Sequence, residues 1–154
     1  NSVLDTVLTS KSVSCLEHKI QFTCVADGKL LDFMEVMDIC SIFGNAFDNA
    51  IDSIKAIKNQ DKRLIKLTVY ARNDLLIINF GNYYESKLKF ENGTLITTKK
   101  DNMNHGYGIK SIKMAVAKYG GTVRIDTKNN WFSLCILIPL NNNLKKNKDK
   151  SYEI

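Results

Sequence analysis

The sequence contains little cysteine, histidine or proline. Its 154 residues include four cysteines, two histidines and one proline. The cysteines are scattered and form no C-x-x-C pair, which argues against a zinc knuckle. Most of them occupy apolar positions of the pattern, so we expect reduced, mostly buried thiols of a cytosolic protein. They are Cys15, Cys24, Cys40 and Cys135.

Long hydrophobic runs are also absent. The longest apolar stretches, residues 75–78 and 134–140, are too short to span a bilayer and suit buried strands. The N-terminus lacks a basic region followed by an apolar stretch and a small-residue cleavage site, so no secretory signal is visible. Because the chain begins with Asn1 instead of methionine, we expect it to be a piece of a longer protein.

Acidic residues are fewer than basic ones, which leaves a formal net charge of +6. Hydrophobic residues make up 44% and charged residues 25%, which is typical of a soluble domain with a sizeable core. Because basic residues are not interleaved with stacking aromatic residues, the sequence indicates no nucleic-acid binding. Residues 141–154 are predicted to be a flexible, solubilising tail, and they hold Lys145, Lys146, Lys148 and Lys150.

Hydrophobic periodicity predicts an α+β domain. Apolar residues at steps of three and four predict helices over residues 1–18, 33–58 and 106–119. Alternation and strand-forming residues predict strands over 20–26, 64–70, 75–80, 122–126 and 131–139. The polar segment 81–105 has no sustained period, which predicts a functional loop or lid. This order predicts a two-layer α/β sandwich with helices on one face of a mixed sheet.

The long helix carries two carboxamides four residues apart. Asn45 and Asn49 therefore share one face, and Asp52 extends that face by another turn. Their oxygens suit Mg²⁺, which usually keeps several waters and shares its shell with substrate phosphates. The alternative is a helix face exposed to solvent. Asparagine is a modest helix former, however, so two of them in mid-helix call for a reason beyond propensity.

A glycine pair opens the next helix. Gly106 and Gly108 would let phosphate oxygens approach the backbone, where free N–H groups and the helix dipole favour an anion. The alternative interpretations are a flexible loop for the glycines and a solvated run of charge for the lysines that precede them. Together, the two segments predict a site for a nucleotide and its metal ion. The polar stretch before the glycines adds side chains that could also reach phosphates: Thr97, Thr98, Lys99 and Lys100.

Five segments in order carry a family resemblance. They are FGNAFDNAID at 43–52, IINFGN at 77–82, TTK at 97–99, HGYGIKSIK at 105–113 and KYGG at 118–121. Together they resemble the ATP-binding domain of sensor histidine kinases, which has a Bergerat-type fold and belongs to a wider group with gyrase, Hsp90 and MutL. Within it, the chain looks most like the peptide-pheromone quorum-sensing branch, the AgrC/VirS type.

The resemblance covers roughly residues 5–140 and implies a domain organisation. Residues 19–140 would be the ATP-binding catalytic domain. Residues 1–18 would be the end of an upstream dimerisation-type helix with its linker, and residues 141–154 the basic tail. The implied partners are ATP, the upstream domain and a downstream response regulator. The full protein would be a membrane-anchored homodimer whose catalytic domain is cytoplasmic.

The resemblance also implies roles for individual residues. Asn49 matches the asparagine that ligates Mg²⁺ between the nucleotide phosphates, and residues 83–104 match the ATP lid. The aspartate of the family's Asp-x-Gly-x-Gly box binds adenine. That box is missing here, and Asn82 stands at the corresponding strand end. The implied nucleotide-binding residues are Asn45, Asn49, Asp52, Asn82, Thr98, Lys99, His105, Gly106, Tyr107, Gly108 and Ile109.

The implied activity is that of a protein histidine kinase that uses Mg-ATP. Hydrolysing relatives place a glutamate where this chain has Asn45, which cannot act as a general base. Transfer to a protein is therefore favoured over hydrolysis. It would rest on positioning and charge neutralisation, with Asn45, Lys99 and Lys110 as the catalytic residues. Neither His18 nor His105 fits a phosphoacceptor, so we expect the accepting histidine on the upstream domain.

Two other interpretations of the sequence stay open. The chain could be a self-contained ATPase of the same fold, in which case turnover would be measurable and would be lost on Asn49→Ala. It could also be a degenerate module that uses the fold to bind a partner protein. The missing Asp-x-Gly-x-Gly box keeps this interpretation open, and failure to bind any adenine nucleotide would favour it.

Overall fold

The computed structural model describes residues 1–85, 89–92, 94–96 and 105–144. The helices are α1 (Ser2–Glu17), α2 (Val36–Ile54) and α3 (His105–Ala117), and a short helical turn occupies 140–144. No helix in these described ranges is long and apolar enough to cross a membrane. The strands are β1 (Gln21–Ala26), β2 (Leu64–Arg72), β3 (Leu75–Tyr83), β4 (Lys89–Glu91), β5 (Thr94–Ile96), β6 (Thr122–Lys128) and β7 (Trp131–Pro139).

Five strands form one mixed sheet in the order β1-β2-β3-β7-β6. β1 runs parallel to β2, and the other neighbours are antiparallel. β3 lies in the centre and alternates, with Leu76, Ile78 and Phe80 buried on one face. The helices cover that face: the ring of Phe47 in α2 packs edge-on to Phe80 with centroids 4.6 Å apart. The predicted α+β sandwich with helices on one face is therefore confirmed.

The edge strand β6 shows what the other face of the sheet presents. Val123 and Ile125 pack against the core. The residues that alternate with them point away from the helices and are exposed, and most of them are charged. They are Thr122, Arg124, Asp126 and Lys128.

The thiols are free, but the expectation that most of them are buried was wrong. Cys15 is buried, Cys135 is half-buried, and Cys24 and Cys40 are exposed. Cys24 lies on the edge strand β1, which pairs on one side only within the described part of the chain. An apolar position in the sequence pattern at a sheet edge does not guarantee burial.

The predicted helix over 33–58 is longer than α2 at both ends. α2 begins after Glu35, whose backbone is extended (φ −68°, ψ 145°). Beyond its C-terminal end, the Arg63 guanidinium donates to the carbonyl oxygens of Ile57 at 2.8 Å, His18 at 2.7 Å and Lys55 at 3.4 Å. The bonds to Ile57 and Lys55 satisfy carbonyl groups that a continued helix would otherwise have to pair. The chain can therefore leave the helix at this point.

α1 lies against α2. The side chain of Asn1 caps α1 by accepting hydrogen bonds from the backbone N–H groups of Val3 and Leu4, each at 3.1 Å. Lys11 Nζ lies 2.6 Å from Asp48 Oδ1 of α2. The helix predicted over residues 1–18 is therefore present. Its origin as the end of an upstream dimerisation-type helix stays a prediction.

The end of α3 is fastened to the start of α2 by Asp38, Lys118 and Tyr119, which we call the Asp38 clasp. The Asp38 side chain is buried, with Asp38 only 4% exposed. Its Oδ1 accepts a hydrogen bond from Lys118 Nζ at 2.9 Å, and its Oδ2 accepts one from the Tyr119 hydroxyl at 2.5 Å. The same hydroxyl accepts from the Glu35 N–H at 2.9 Å. Both oxygens of a buried carboxylate are thus paired, which is what burial of a charge requires.

Two glycines follow the clasp and turn the chain into β6. Gly120 has a φ of +70°, in the left-handed region that favours glycine after a helix. A Cβ on Gly121 would lie 2.7 Å from Ile138 Cγ1, from Leu137 O and from Val116 Cγ1. Only glycine fits where the chain passes so close to β7 and α3. The predicted stop at these glycines is borne out.

The segment predicted as an unstructured lid contains regular structure. β3 continues to Tyr83, and β4 and β5 pair as a short antiparallel hairpin inside the segment. The strands of three residues are too short for the alternation of apolar residues to reveal them. Residues 86–88, 93 and 97–104 lie outside the described part of the chain, so the lid itself stays a prediction.

Hydrogen bonding and burial shift the titration of the clasp. Burial raises the pKa of the Asp38 carboxyl, but hydrogen bonds from Tyr119 and Lys118 outweigh burial and hold that pKa below its ordinary value. Burial, followed by the bond to Asp38, raises the pKa of Tyr119 to about 12. The bond to Asp38 raises the pKa of Lys118. The clasp is therefore most stable with Asp38 charged and both partners protonated.

We expect strongly alkaline pH to open the clasp. Because the pKa of Tyr119 is raised in the folded state, its contribution to stability is complete below the ordinary value of 10 and is lost as the pH rises through about 12. The free energy of unfolding, measured by urea titration at a series of pH values in this window, should fall more steeply for the wild type than for Tyr119→Phe. The other tyrosines titrate in both proteins, so equal slopes would contradict the expectation.

Candidate functional site

Asn45 and Asn49 converge on the first turn of α3. A Cβ built on Gly108 would lie 3.2 Å from Asn49 Oδ1 and 3.4 Å from Asn45 Oδ1. Both carboxamides therefore lie on the side of Gly108 where a side chain would otherwise stand. The Asp38 clasp joins the other end of α3 to the start of α2, so the two helices run antiparallel. The structure thus brings together the two segments that the sequence singled out.

The carboxamide of Asn45 is oriented by its own helix. Its Nδ2 donates to the carbonyl oxygen of Ser41 at 2.7 Å and lies 3.4 Å from the Ser41 hydroxyl oxygen. Its Oδ1 is left facing Gly108. Back-bonding to the carbonyl four residues earlier explains how an asparagine is held in mid-helix. A carboxamide fixed in this way can accept a hydrogen bond or ligate a cation, but it cannot remove a proton.

Asn49 and Asp52 continue the polar side of α2. Asn49 is half-buried, and its oxygen is a hard donor that suits Mg²⁺. Asp52 is also half-buried, and its Oδ1 lies 2.9 Å from Lys55 Nζ. The described residues contain no group of three or more histidines, cysteines or carboxylates that could hold a metal ion. An ion at Asn49 would therefore need phosphate oxygens and waters to complete its shell.

Asn82 lies near the C-terminal end of the central strand β3. Its side chain is 3% exposed on the helix-covered face of β3, and its Nδ2 donates to the carbonyl oxygen of Tyr83 at 3.1 Å. Asn82 pairs with Ile65 of β2, two residues after Arg63. Because Arg63 binds the carbonyl oxygens that follow α2, Asn82 lies at the C-terminal end of α2. Its Oδ1 is an acceptor that could bind the amino group of a base.

The first turn of α3 presents backbone N–H groups with no intrahelical partner, as every helix N-terminus does. Among the described residues, a Cβ on Gly106 would meet nothing within 4 Å. Tyr107 is 71% exposed and Lys110 is exposed. The side chain of Ile109 is buried, so only its backbone could face a ligand.

Three of the residues implied by the resemblance cannot be judged in this arrangement. Thr98 and Lys99 lie outside the described residues. His105 begins α3, but the position of its side chain is likewise outside what the structure describes. The structure therefore brings Asn45, Asn49 and Gly108 together and leaves these three as predictions.

Sequence reasoning missed Asp38 and Arg63. Asp38 occupies a helix position among apolar residues, and a lone acid there was the one available signal. Its partners lie 80 and 81 residues away, beyond the reach of any local pattern. In the sequence, Arg63 looks like an ordinary charged residue of a loop. In the structure its guanidinium donates hydrogen bonds to three carbonyl oxygens from two segments. Both residues set the position of helices that carry the site.

Comparison with known proteins is consistent with this geometry. Residues 34–139 match the model of the GHKL domain family. No curated protein matches the sequence significantly. The catalytic domain of histidine kinase ThkA has a TM-score of 0.67 at 17% identity, over 91% of this chain and 92% of that one.

Two further solved structures resemble the chain. One is Acinetobacter baumannii histidine kinase AdeS, with a TM-score of 0.61 and 16% identity over 92% of this chain and 64% of that one. The other is the histidine kinase domain of a blue-light activated kinase from Erythrobacter litoralis EL346. It has a TM-score of 0.63 and 12% identity over 93% of this chain and 63% of that one. At these identities the likeness shows the fold alone.

We expect Gly108→Ala to displace the carboxamides of Asn45 and Asn49. The added methyl group would stand closer to Asn49 Oδ1 than ordinary van der Waals contact allows and at the near limit of that contact with Asn45 Oδ1, so the Asn49 side chain must move by a few tenths of an ångström. The side-chain amide resonances of both asparagines should shift in ¹⁵N-resolved NMR spectra. Gly106→Ala is the matched control, since its methyl group would meet no described residue within 4 Å. Unchanged asparagine resonances in Gly108→Ala would show that the contact is absent in solution.

Proposed function

This chain belongs to the GHKL domain family, and from that premise we propose that it is the catalytic domain of a histidine kinase. It binds Mg-ATP and donates the γ-phosphoryl group to a histidine on an upstream domain. The observation that carries the proposal is the convergence of the Asn45 and Asn49 carboxamides on Gly108. It joins oxygen ligands for a metal ion to a helix N-terminus suited to phosphate.

The residues present fit a magnesium ion shared with a nucleotide. Asn49 would hold the ion through its carboxamide oxygen. Asn45 lies one turn earlier on α2, and its carboxamide oxygen also faces Gly108. A single amide ligand is enough only if the nucleotide phosphates supply further oxygens, which is the usual arrangement for this ion. The bound ion would neutralise charge that develops on the phosphates.

Asn82 and α3 would fix the two ends of the nucleotide. The Asn82 carboxamide oxygen would accept a hydrogen bond from the adenine amino group at the end of β3. The N–H groups of the first turn of α3 would receive the phosphates, with Gly106 and Gly108 allowing close approach. Lys110 is exposed on the same helix and adds a positive charge near its N-terminus.

The chemistry we propose is an in-line displacement at the γ-phosphorus. A histidine ring nitrogen attacks the phosphorus, the bond to the β,γ-bridging oxygen breaks, and ADP leaves with the electron pair. The protein holds the reactants in place and offsets charge. Water is a poor competitor because Asn45, whose Nδ2 is already bonded to Ser41, offers no base to activate it.

Further assignments rest on motif order in the sequence. We propose that α1 continues an upstream dimerisation helix that bears the accepting histidine, and that a response regulator acts downstream. We propose a membrane-anchored homodimer of the AgrC/VirS quorum-sensing type with its catalytic domain in the cytoplasm. The packing of α1 on α2 supports a connection between the upstream helix and the nucleotide site.

We expect Asn49→Ala to weaken binding of a non-hydrolysable ATP analogue about tenfold in the presence of Mg²⁺, which corresponds to about 1.4 kcal/mol. Without Mg²⁺ the loss should be much smaller, because the lost oxygen ligates the metal. Isothermal titration calorimetry with and without Mg²⁺ measures both. The control is Asn79→Ala, which removes the same carboxamide from the opposite face of β3. Equal losses with and without metal would mean that Asn49 is not the ligand, and no binding by the wild type would overturn the proposal.

A further inference from the structure

α3 is held at both ends by different kinds of contact. At its N-terminal end, the carboxamides of Asn45 and Asn49 face Gly108, where a Cβ would lie 3.2 Å and 3.4 Å from the oxygens of Asn49 and Asn45. At its C-terminal end, the Asp38 clasp provides directional hydrogen bonds. We propose that the Asp38 clasp is a positioning device that sets where the phosphate-binding end of α3 lies. This inference rests on the proposed function and names Tyr119 as its main positioning residue.

Because α2 and α3 pack antiparallel, a change of tilt at the C-terminal end of α3 displaces its N-terminal end along α2. Gly108 and Lys118 are ten residues apart, which is about 15 Å along a helix. A tilt of about 5° at the clasp would therefore move Gly108 by roughly 1.3 Å. A shift of this size toward α2 would use up the room that the missing side chain of Gly108 leaves, since a Cβ there would lie only 3.2 Å from Asn49 Oδ1. Misplacement of about 1 Å is enough to impair the positioning of reacting groups.

The contacts between the two ends of α3 do not fix this tilt. The middle of α3 is held by apolar side chains, of which Ile112 and Val116 are fully buried. Apolar burial is non-directional, so it does not by itself select one tilt of the helix. The clasp is directional: the Tyr119 hydroxyl donates to Asp38 and accepts from the Glu35 N–H. It therefore supplies the orientation that the apolar contacts lack.

A second set of bonds fastens the clasp to the sheet. Asn143 is 6% exposed, and its Nδ2 donates to the carbonyl oxygens of Tyr119 at 2.9 Å and Pro139 at 2.6 Å. Pro139 ends β7, so these bonds connect the clasp to the sheet as well as to α2. The C-terminal end of α3 is thus joined to the same sheet that carries Asn82.

Tyr119→Phe tests the proposal with little change in packing. It removes only the hydroxyl, and the edge-on contact with the ring of Phe33, at 5.6 Å between centroids, can persist. The affinities of ATP, ADP and adenosine are measured by NMR titration with Mg²⁺, at a temperature where every variant is fully folded. We expect ATP and ADP to bind three- to tenfold more weakly, because their phosphates depend on the position of α3. Adenosine, which depends on Asn82, should bind as to the wild type.

The control is Val69→Ala, which truncates a buried side chain of β2 outside the clasp. It should leave the affinities of all three ligands in their wild-type proportion. If Tyr119→Phe weakens adenosine as much as ATP, or if Val69→Ala produces the same selective loss, the clasp is merely structural and the inference is overturned. Wild-type affinity of Tyr119→Phe for all three ligands overturns it too. If the wild type binds no ATP, the proposed function fails first, so the two failures are distinguishable.

Discussion

The packing of Phe47 between Phe22 and Phe80 is the contact on which the geometry of the site depends. Its ring stands edge-on to both, with centroids 5.1 Å and 4.6 Å away. Aromatic pairs prefer such edge-to-face arrangements, which favours this orientation of the Phe47 side of α2 toward the sheet. Residues two positions away on a helix lie about 200° around it, so Asn45 and Asn49 must point away from the sheet. That side of α2 is where α3 begins, and the carboxamides meet Gly108 there.

The sequence predicted the parts of this structure that repeat locally. The long helix, the central strands and the glycine stop after Tyr119 all follow from periodicity or backbone geometry. The ends of α2 did not follow, because Arg63 determines one of them through carbonyl groups that lie apart in sequence. The Asp38 clasp escaped for the same reason, since its bonds span 80 and 81 residues. Asn45 and Asn49 could be named from their spacing, but their contact with Gly108 required the packing of two helices.

A fold shared at 12–17% identity says little about chemistry, because function lives in the site that a fold carries. Among the described residues, most groups of the candidate site are neutral: two asparagines on α2, a third at the end of β3, and glycines at a helix N-terminus. Asp52 and Lys110 are charged. Neutral amide oxygens hold a cation weakly unless an anionic ligand arrives with it. Metal and phosphate binding would therefore depend on each other, and neither would be strong alone. Asn82, which lacks a charge, would distinguish bases by hydrogen-bond direction.

The alternating charges on β6 have a consequence for the behaviour of the chain in concentrated solution. β6 is an edge strand of the five-stranded sheet, so part of its backbone N–H and C=O groups has no neighbouring strand among the described residues. Such edges invite other chains to add a strand and aggregate. Arg124, Asp126 and Lys128 are exposed on the solvent face of this strand. A strand added at that edge would have to desolvate them, and this cost opposes aggregation through an edge that the fold itself leaves open.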